Sequence, residues 1–257
     1  MDIFLENLVL LILIIIQSIF GIGLLLFGTP TFLILGYDFI NTLNFLLPIS
    51  IVISSLQLIS FKTQLKKIIF EYNLFCLPFL VLFMIIALNF KDYLNFKIYV
   101  AIVLTVSSIL TLKKDTFIPL RKIILKYKKL ILIFIGSVHG LTNMGGGFLS
   151  IFSSLINNRK KMYTRYFISY SYLAMGLLQY FILLFFEYKN LNFSKIYYVL
   201  LVFIIYFPVQ KIFKKINNLF FTKSISIIAL FYGSMIIIFR FKQITFSRIS
   251  LLFQKNS

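Results

Sequence analysis

Stretches free of Asp, Glu, Lys and Arg divide the chain into eight apolar segments: 7–37, 39–61, 72–90 and 98–112, then 130–158, 166–186, 196–210 and 224–239. A membrane-crossing helix needs about 20 largely apolar residues, and fewer where Lys or Arg at its ends reach back to the interface. All eight therefore predict membrane segments, and the chain reads as an all-α polytopic membrane protein. The lengths run 31, 23, 19 and 15 residues in the first half, then 29, 21, 15 and 16 in the second. Start positions differ by 123, 127, 124 and 126 residues between the halves. So constant a spacing predicts a duplicated four-segment unit. The first membrane repeat spans 1–112, a basic linker KKDTFIPLRKIILKYKK spans 113–129, the second repeat spans 130–240, and a basic tail spans 241–257. Internal duplication is common among secondary transporters.

The first segment of each half is too long for one upright helix, and small residues interrupt it. The first carries Gly21, Gly23, Gly28 and Pro30 in FGIGLLLFGTP, and the second carries Gly136, Gly140, Gly145, Gly146 and Gly147 in GSVHGLTNMGGG. Glycine weakens a helix by about 1 kcal/mol and proline by about 3. In hydrocarbon, broken backbone persists only where protein or a water-filled cavity satisfies it. Two interrupted segments, one per half, point to a central site between segments 1 and 5.

Composition narrows the class further. Hydrophobic residues make up 60% of the 257-residue chain and charged residues 13%, too few to coat a soluble core. The net charge of +19 sits between apolar segments, as the positive-inside bias places it, and does not predict a nucleic-acid partner. The single Cys76 excludes an intrachain disulfide, and one His with one Cys excludes an ordinary His/Cys metal cage. The N-terminus, with Asp2 and Glu6 and no basic region, does not read as a cleaved signal peptide. The connections hold 0, 0, 3, 2, 7, 4, 2, 4 and 4 Lys plus Arg. If every segment crosses once, 16 fall inside and 10 outside; if both interrupted segments double back, 18 fall inside and 8 outside. The second arrangement makes the halves inverted repeats and is preferred.

These motifs resemble those of the TauE/SafE sulfite-exporter family, duplicated permeases with a glycine-rich interruption in the first helix of each half. The second-half pattern G-x-x-x-G-x-x-G-x-G-G-P is matched by Gly136, Gly140, Asn143, Gly145, Gly146 and Gly147, with Asn143 in place of a glycine and Gly147 in place of the proline. Arg165 in MYTRYFISYSYLAMG, the trio Gly21, Gly23 and Pro30, and the glutamines Gln57 and Gln179 also fit. The resemblance covers about residues 7 to 240. It departs at the third helices, where ALNFKDY and YFPVQKI lack the family's spaced glycines. It implies a permease for sulfite, an organosulfonate or a related organic acid in a bacterial cytoplasmic membrane.

The candidate chemistry centres on the same residues. Gly145–Gly147 at a half-helix N-terminus could present backbone N–H groups to an anion, or simply let helices approach closely. His139, the only histidine, lies in an uncharged stretch; it could bind an oxyanion, carry a proton, or be satisfied by a carbonyl or Asn143. Arg165 suits a bidentate clamp on a sulfonate or carboxylate, or is a flank charge following Arg159, Lys160 and Lys161. Gln57 and Gln179 line the path or bridge helices. Asp38 and Glu187 lie at segment edges and read as interfacial. No acidic residue sits centrally in an apolar segment, and neither a P-loop nor a G-x-S-x-G motif occurs. The expectation is a non-enzymatic permease for a small anion, working in the lipid bilayer without a cofactor and compatible with a homo-oligomer. The rival is a non-transporting membrane scaffold of the same fold.

Overall fold

The computed structural model of the chain describes residues 3–60, 65–96, 117–158, 160–191 and 193–218, with a few positions between 98 and 106 and between 220 and 227. Most of segments 98–112 and 224–239, the start of the basic linker and the tail 241–257 lie outside them. Among the described residues all regular structure is helical. The elements are α1 (Ile3–Phe20), α2 (Leu24–Ile34), α3 (Phe39–Ile59), α4 (Lys66–Phe75), α5 (Leu77–Asn89), α6 (Phe117–Lys126), α7 (Lys128–Thr142), α8 (Gly146–Ile156), α9 (Lys161–Glu187) and α10 (Tyr198–Lys215). Among the described residues, three stretches are long and apolar enough to cross a membrane: Phe39–Ile59, Lys66–Asn89 and Lys161–Asn190.

Both long first segments break, and both double back. The first breaks at Gly21–Gly23, where Gly21 (φ +80°) and Gly23 (φ +140°) hold backbone conformations that side-chain-bearing residues rarely adopt. A Cβ on Gly23 would meet Ile16 Cγ2 at 2.5 Å, and one on Gly28 would meet Leu13 Cδ1 at 3.2 Å. Positions 23 and 28 therefore lie beside 16 and 13, so α2 runs back along α1. The second segment breaks at Asn143, in the left-handed region at φ 60°, a C-terminal conformation that asparagine tolerates better than most residues. Here Phe134 and Phe148 face each other with ring centroids 5.1 Å apart, so α8 returns along α7. Pro30 lies inside α2 rather than at its break.

The hairpins enter from opposite ends of the bundle. Helices α3 and α9 cross antiparallel, with Gln57 against Ser169 and Ile51 against Gly176. The start of α3 and the end of α9 thus share one end. That end also holds the mouth of the first hairpin, where Glu6, Tyr37 and Lys195 meet, and the Lys91–Glu187 ion pair at 2.7 Å. The opposite end holds Lys66, Lys67, Lys160, Lys161, Lys214 and Lys215. The second hairpin enters there, where Lys128 pairs with Glu71 and Arg121 Nε donates to Leu155 O at 3.2 Å. At about 1.5 Å per residue, the 18 residues of α1 span about 27 Å, so the first tip reaches most of the way to the Lys161 end.

Close backbone contact sets the second hairpin in place. A Cβ on Gly136 would lie 2.1 Å from Cys76 O, and one on Gly140 would lie 2.5 Å from Leu80 O. This small-xxx-small face lets α7 lie directly on α5 without glycines from α5, whose absence set the third segment apart from the family. The α3–α9 and α5–α7 seams are the most extensive in the bundle, while α1 packs on α10.

Element boundaries recur at one spacing. Thr142 ends α7 as Phe20 ends α1, 122 positions apart (142 − 20). The starts of α2 and α8, at Leu24 and Gly146, and of α3 and α9, at Phe39 and Lys161, differ by the same 122. So do two pairs of positive-φ residues, Gly21 with Asn143 and Gly36 with Asn158.

Candidate functional site: two hairpin tips

The first tip buries the carboxyl end of α1, where helical donors run out after Gly21 N, which donates to Gln17 O at 2.8 Å. Side chains from three other helices supply donors. Gln57 Nε2 donates to Gln17 O at 2.7 Å and to Ser18 O at 3.3 Å. Arg165 Nη2 donates to Ser18 O at 2.6 Å and to Gln210 Oε1 at 2.8 Å, while Gln210 Nε2 donates to Ser18 O at 3.1 Å. The guanidinium stacks on Phe213 at 3.8 Å from the ring centroid. A cation at a helix carboxyl end is favoured by the helix dipole. Gln17 Nε2 in turn donates to Ser50 Oγ at 2.9 Å, and Ser169 Oγ donates to Gln57 Oε1 at 2.7 Å. Gln17 Oε1 and Ser18 Oγ remain buried without a partner.

The second tip repeats the scaffold with different chemistry. Gln179 Nε2 donates to His139 O at 3.4 Å, the counterpart of Gln57 on Gln17 O, with both residues shifted by 122 positions. His139 Nε2 lies 3.1 Å from Gln179 Oε1. Because that amide oxygen only accepts, Nε2 carries the hydrogen and Nδ1 is left as a lone-pair acceptor. Nδ1 is buried without a partner. Ser50, which receives Gln17, is replaced at the equivalent position by Tyr172, whose ring centroid lies 6.0 Å from that of His139. The Tyr172 hydroxyl is also buried and unpartnered, and a Cβ on Gly146 would fall 1.7 Å from it. Asn143 Nδ2 donates to Thr29 Oγ1 at 3.0 Å and links the two hairpins, while Asn143 Oδ1 has no partner.

The amino end of α8 lies at this tip. Gly145 has an ordinary right-handed conformation, so its glycine is a matter of space: a Cβ would meet His139 Cβ at 2.6 Å and Ile135 O at 2.8 Å. Gly146 and Gly147 form the first turn, whose N–H groups point out of the helix. In the first hairpin, Leu24, Leu25 and Leu26 occupy the equivalent turn, and all are buried.

Eight of the eleven residues singled out in the sequence therefore gather at the second tip or along α9 and α3 beside the first: His139, Asn143, Gly145, Gly146, Gly147, Arg165, Gln57 and Gln179. Gly21 and Gly23 form the first break itself, and Pro30 stands apart on α2. Arg165 is committed to the end of α1 rather than facing an open site. The sequence reading passed over Tyr172, Gln17, Ser50, Gln210 and Thr29. Gln17 and Gln210 carried a signal, being amides in apolar stretches; Tyr172 was one aromatic among many. No family model, no curated protein and no solved structure matches the chain.

A cavity of about 430 Å³ opens at the Glu6 end between Tyr37, Asp38, Asn41, Phe45 and Lys195. A smaller pocket leads inward from Phe45 and Lys195 between Asn44, Pro48 and Tyr180. Neither of these two reaches His139 or Tyr172. At the rim, Lys195 donates to Tyr37 Oη at 2.5 Å and pairs with Glu6. Burial pulls the Lys195 pKa down, but the Glu6 and Tyr37 hydrogen bonds outweigh it, and the net shift is upward. Asp38 caps α3 through Asn41 N at 2.8 Å, and Glu187 pairs with Lys91; both lie at the bundle's end.

Proposed function

We propose that the chain is an integral membrane permease made of two inverted, duplicated units, moving a small anion across a bacterial cytoplasmic membrane by alternating access. The observation that carries this reading is a polar band inside an apolar bundle. Gln17, Ser50, Gln57, Ser169 and Arg165 at one tip, and Thr29, His139, Asn143, Tyr172 and Gln179 at the other, are all buried. Polar groups at membrane depth are costly, and they mark pathways where they gather. Interrupted helices whose tips end inside the bundle are where secondary transporters hold their substrates.

The duplication is supported by the 122-residue spacing and by an exchange of partners: α1 packs on α10 as α7 packs on α5, and α3 on α10 as α9 on α5. Entry of the hairpins from opposite ends supports inversion. The lysine-rich Lys161 end is then the cytoplasmic one. A Cys76→Ser protein with a single cysteine at position 38 should be labelled from outside, and one with a single cysteine at position 217 only after permeabilisation. The TauE/SafE resemblance supplies the substrate expectation: a sulfur oxyanion, an organosulfonate or a related organic acid.

A thermal-shift screen of the purified protein tests the reading, since a ligand selective for the folded state stabilises it. Sulfite, sulfate, taurine, sulfoacetate, short carboxylates and chloride form the panel, with wild type and His139→Ala. A shift for one anion class, lost in the variant, supports a permease with its site at the second tip. The close packing of Tyr172 on Gly146 favours the rival, a non-transporting scaffold of the same fold. Flat responses from folded protein across the panel would favour it, or a substrate outside the panel.

A further inference from the structure

We infer that the second tip recognises a small oxyanion that carries its own hydroxyl hydrogen, such as a hydroxyalkanesulfonate, a 2-hydroxy acid or a hydrogen oxyanion. The inference rests on the permease reading and narrows it. Three residues at one helix amino end carry buried polar atoms without partners: His139 Nδ1, Asn143 Oδ1 and Tyr172 Oη. Their residues are fully buried, and the Tyr172 hydroxyl lies against Gly146 in the first turn of α8.

The three atoms are not alike. The first-turn N–H groups and the Tyr172 O–H are donors, suited to the charged oxygens of an anion. His139 Nδ1 and Asn143 Oδ1 are acceptors, because Gln179 holds the imidazole hydrogen on Nε2 and Thr29 takes the Asn143 amide N–H. A plain sulfonate or carboxylate offers these acceptors only oxygens and leaves both unsatisfied. A ligand with an added O–H satisfies at least one. The first tip is built differently: the Arg165 guanidinium and the Gln57 and Gln210 amides serve the carbonyls of α1, and leucines fill the first turn of α2. Because α8 is packed on α9, the ligand reaches the second tip only when α8 moves away, as alternating access requires.

Matched pairs test this: isethionate against 2-methoxyethanesulfonate, and glycolate against methoxyacetate, titrated calorimetrically into detergent-purified protein. In each pair the methyl cap removes the donor and adds one methyl group, and the His139 variant below separates the two effects. The expected result is binding of at least one hydroxylated member about tenfold or more tighter than its capped partner, as for a buried acceptor left unpaired. His139→Leu should abolish that preference while retaining binding, and Tyr172→Phe should weaken both members alike. Which pair responds separates a sulfonate from a carboxylate ligand. Equal binding within the pairs overturns the hydroxyl inference and leaves the permease reading standing. Binding of none of the four, by protein shown folded by circular dichroism, overturns the inference, and the wider anion screen then decides the permease reading separately.

Discussion

The two hairpins share a plan and differ in what they leave unfinished. Each breaks at a positive-φ residue, each turns back along itself, and each receives a glutamine from the neighbouring long helix on a carbonyl near its tip. At the first tip a guanidinium and two amides close the carboxyl end of α1. At the second no cation is present among the described groups, glycines strip the amino end of α8, and a histidine and a tyrosine face one another with atoms to spare. One copy is held; the other is poised. The duplication proposed above would account for such a division: one half anchors while the other changes its chemistry.

Substitutions can break the comparison, and the largest effect is expected at the α5–α7 seam. Gly140→Val would drive its side chain into Leu80 O and Met84 N and cost about 3 kcal/mol or more. Its counterpart Ser18 already carries a side chain, so Ser18→Ala should move the melting temperature little. Thermal denaturation of both in detergent checks the contrast. Next comes Arg165→Met, which leaves Ser18 O short of its charged donor and costs about 2–3 kcal/mol. If Arg165 instead clamped substrate, the variant would melt like wild type and lose only ligand binding.

A smaller difference separates the glutamines. Gln57 makes bonds of 2.7 Å to Gln17 O and from Ser169, whereas Gln179 reaches His139 O at 3.4 Å and His139 Nε2 at 3.1 Å. Gln57→Leu should therefore destabilise by about 1 kcal/mol more than Gln179→Leu in parallel melts. The smallest effect is in pH. Lys195 holds its proton above its ordinary value, so its contribution is complete below about pH 10 and lost as pH rises through the raised value. Melting temperature should show no step from this cluster near neutrality and an alkaline fall that Lys195→Met diminishes.

Much of this arrangement was legible in the chain. Six of the eight apolar stretches gave described helices, while most of 98–112 and 224–239 lies outside the described residues; Gly21 and Gly23 gave the first break, and the lysine distribution favoured segments that double back. The start-to-start spacings of 123 to 127 blurred the single value of 122 because charge-free stretches end where a charge happens to fall, not where a helix does. The role of Arg165 was not legible, since its partners Ser18 O and Gln210 are distant in sequence and one is backbone. Tyr172 was hidden for a similar reason: nothing local distinguishes a tyrosine whose hydroxyl meets a glycine 26 positions away. The GGG run was ambiguous between close packing and ligand approach, and the geometry shows the packing directly.

Flux through the protein is the most direct test of the central claim. Purified protein reconstituted into liposomes should take up a radiolabelled small oxyanion saturably, with Tyr172→Phe slowing uptake and Ser18→Ala leaving it unchanged. Folded, correctly inserted protein that carries no anion of the panel, or uptake indifferent to Tyr172 and His139 alike, would contradict the account.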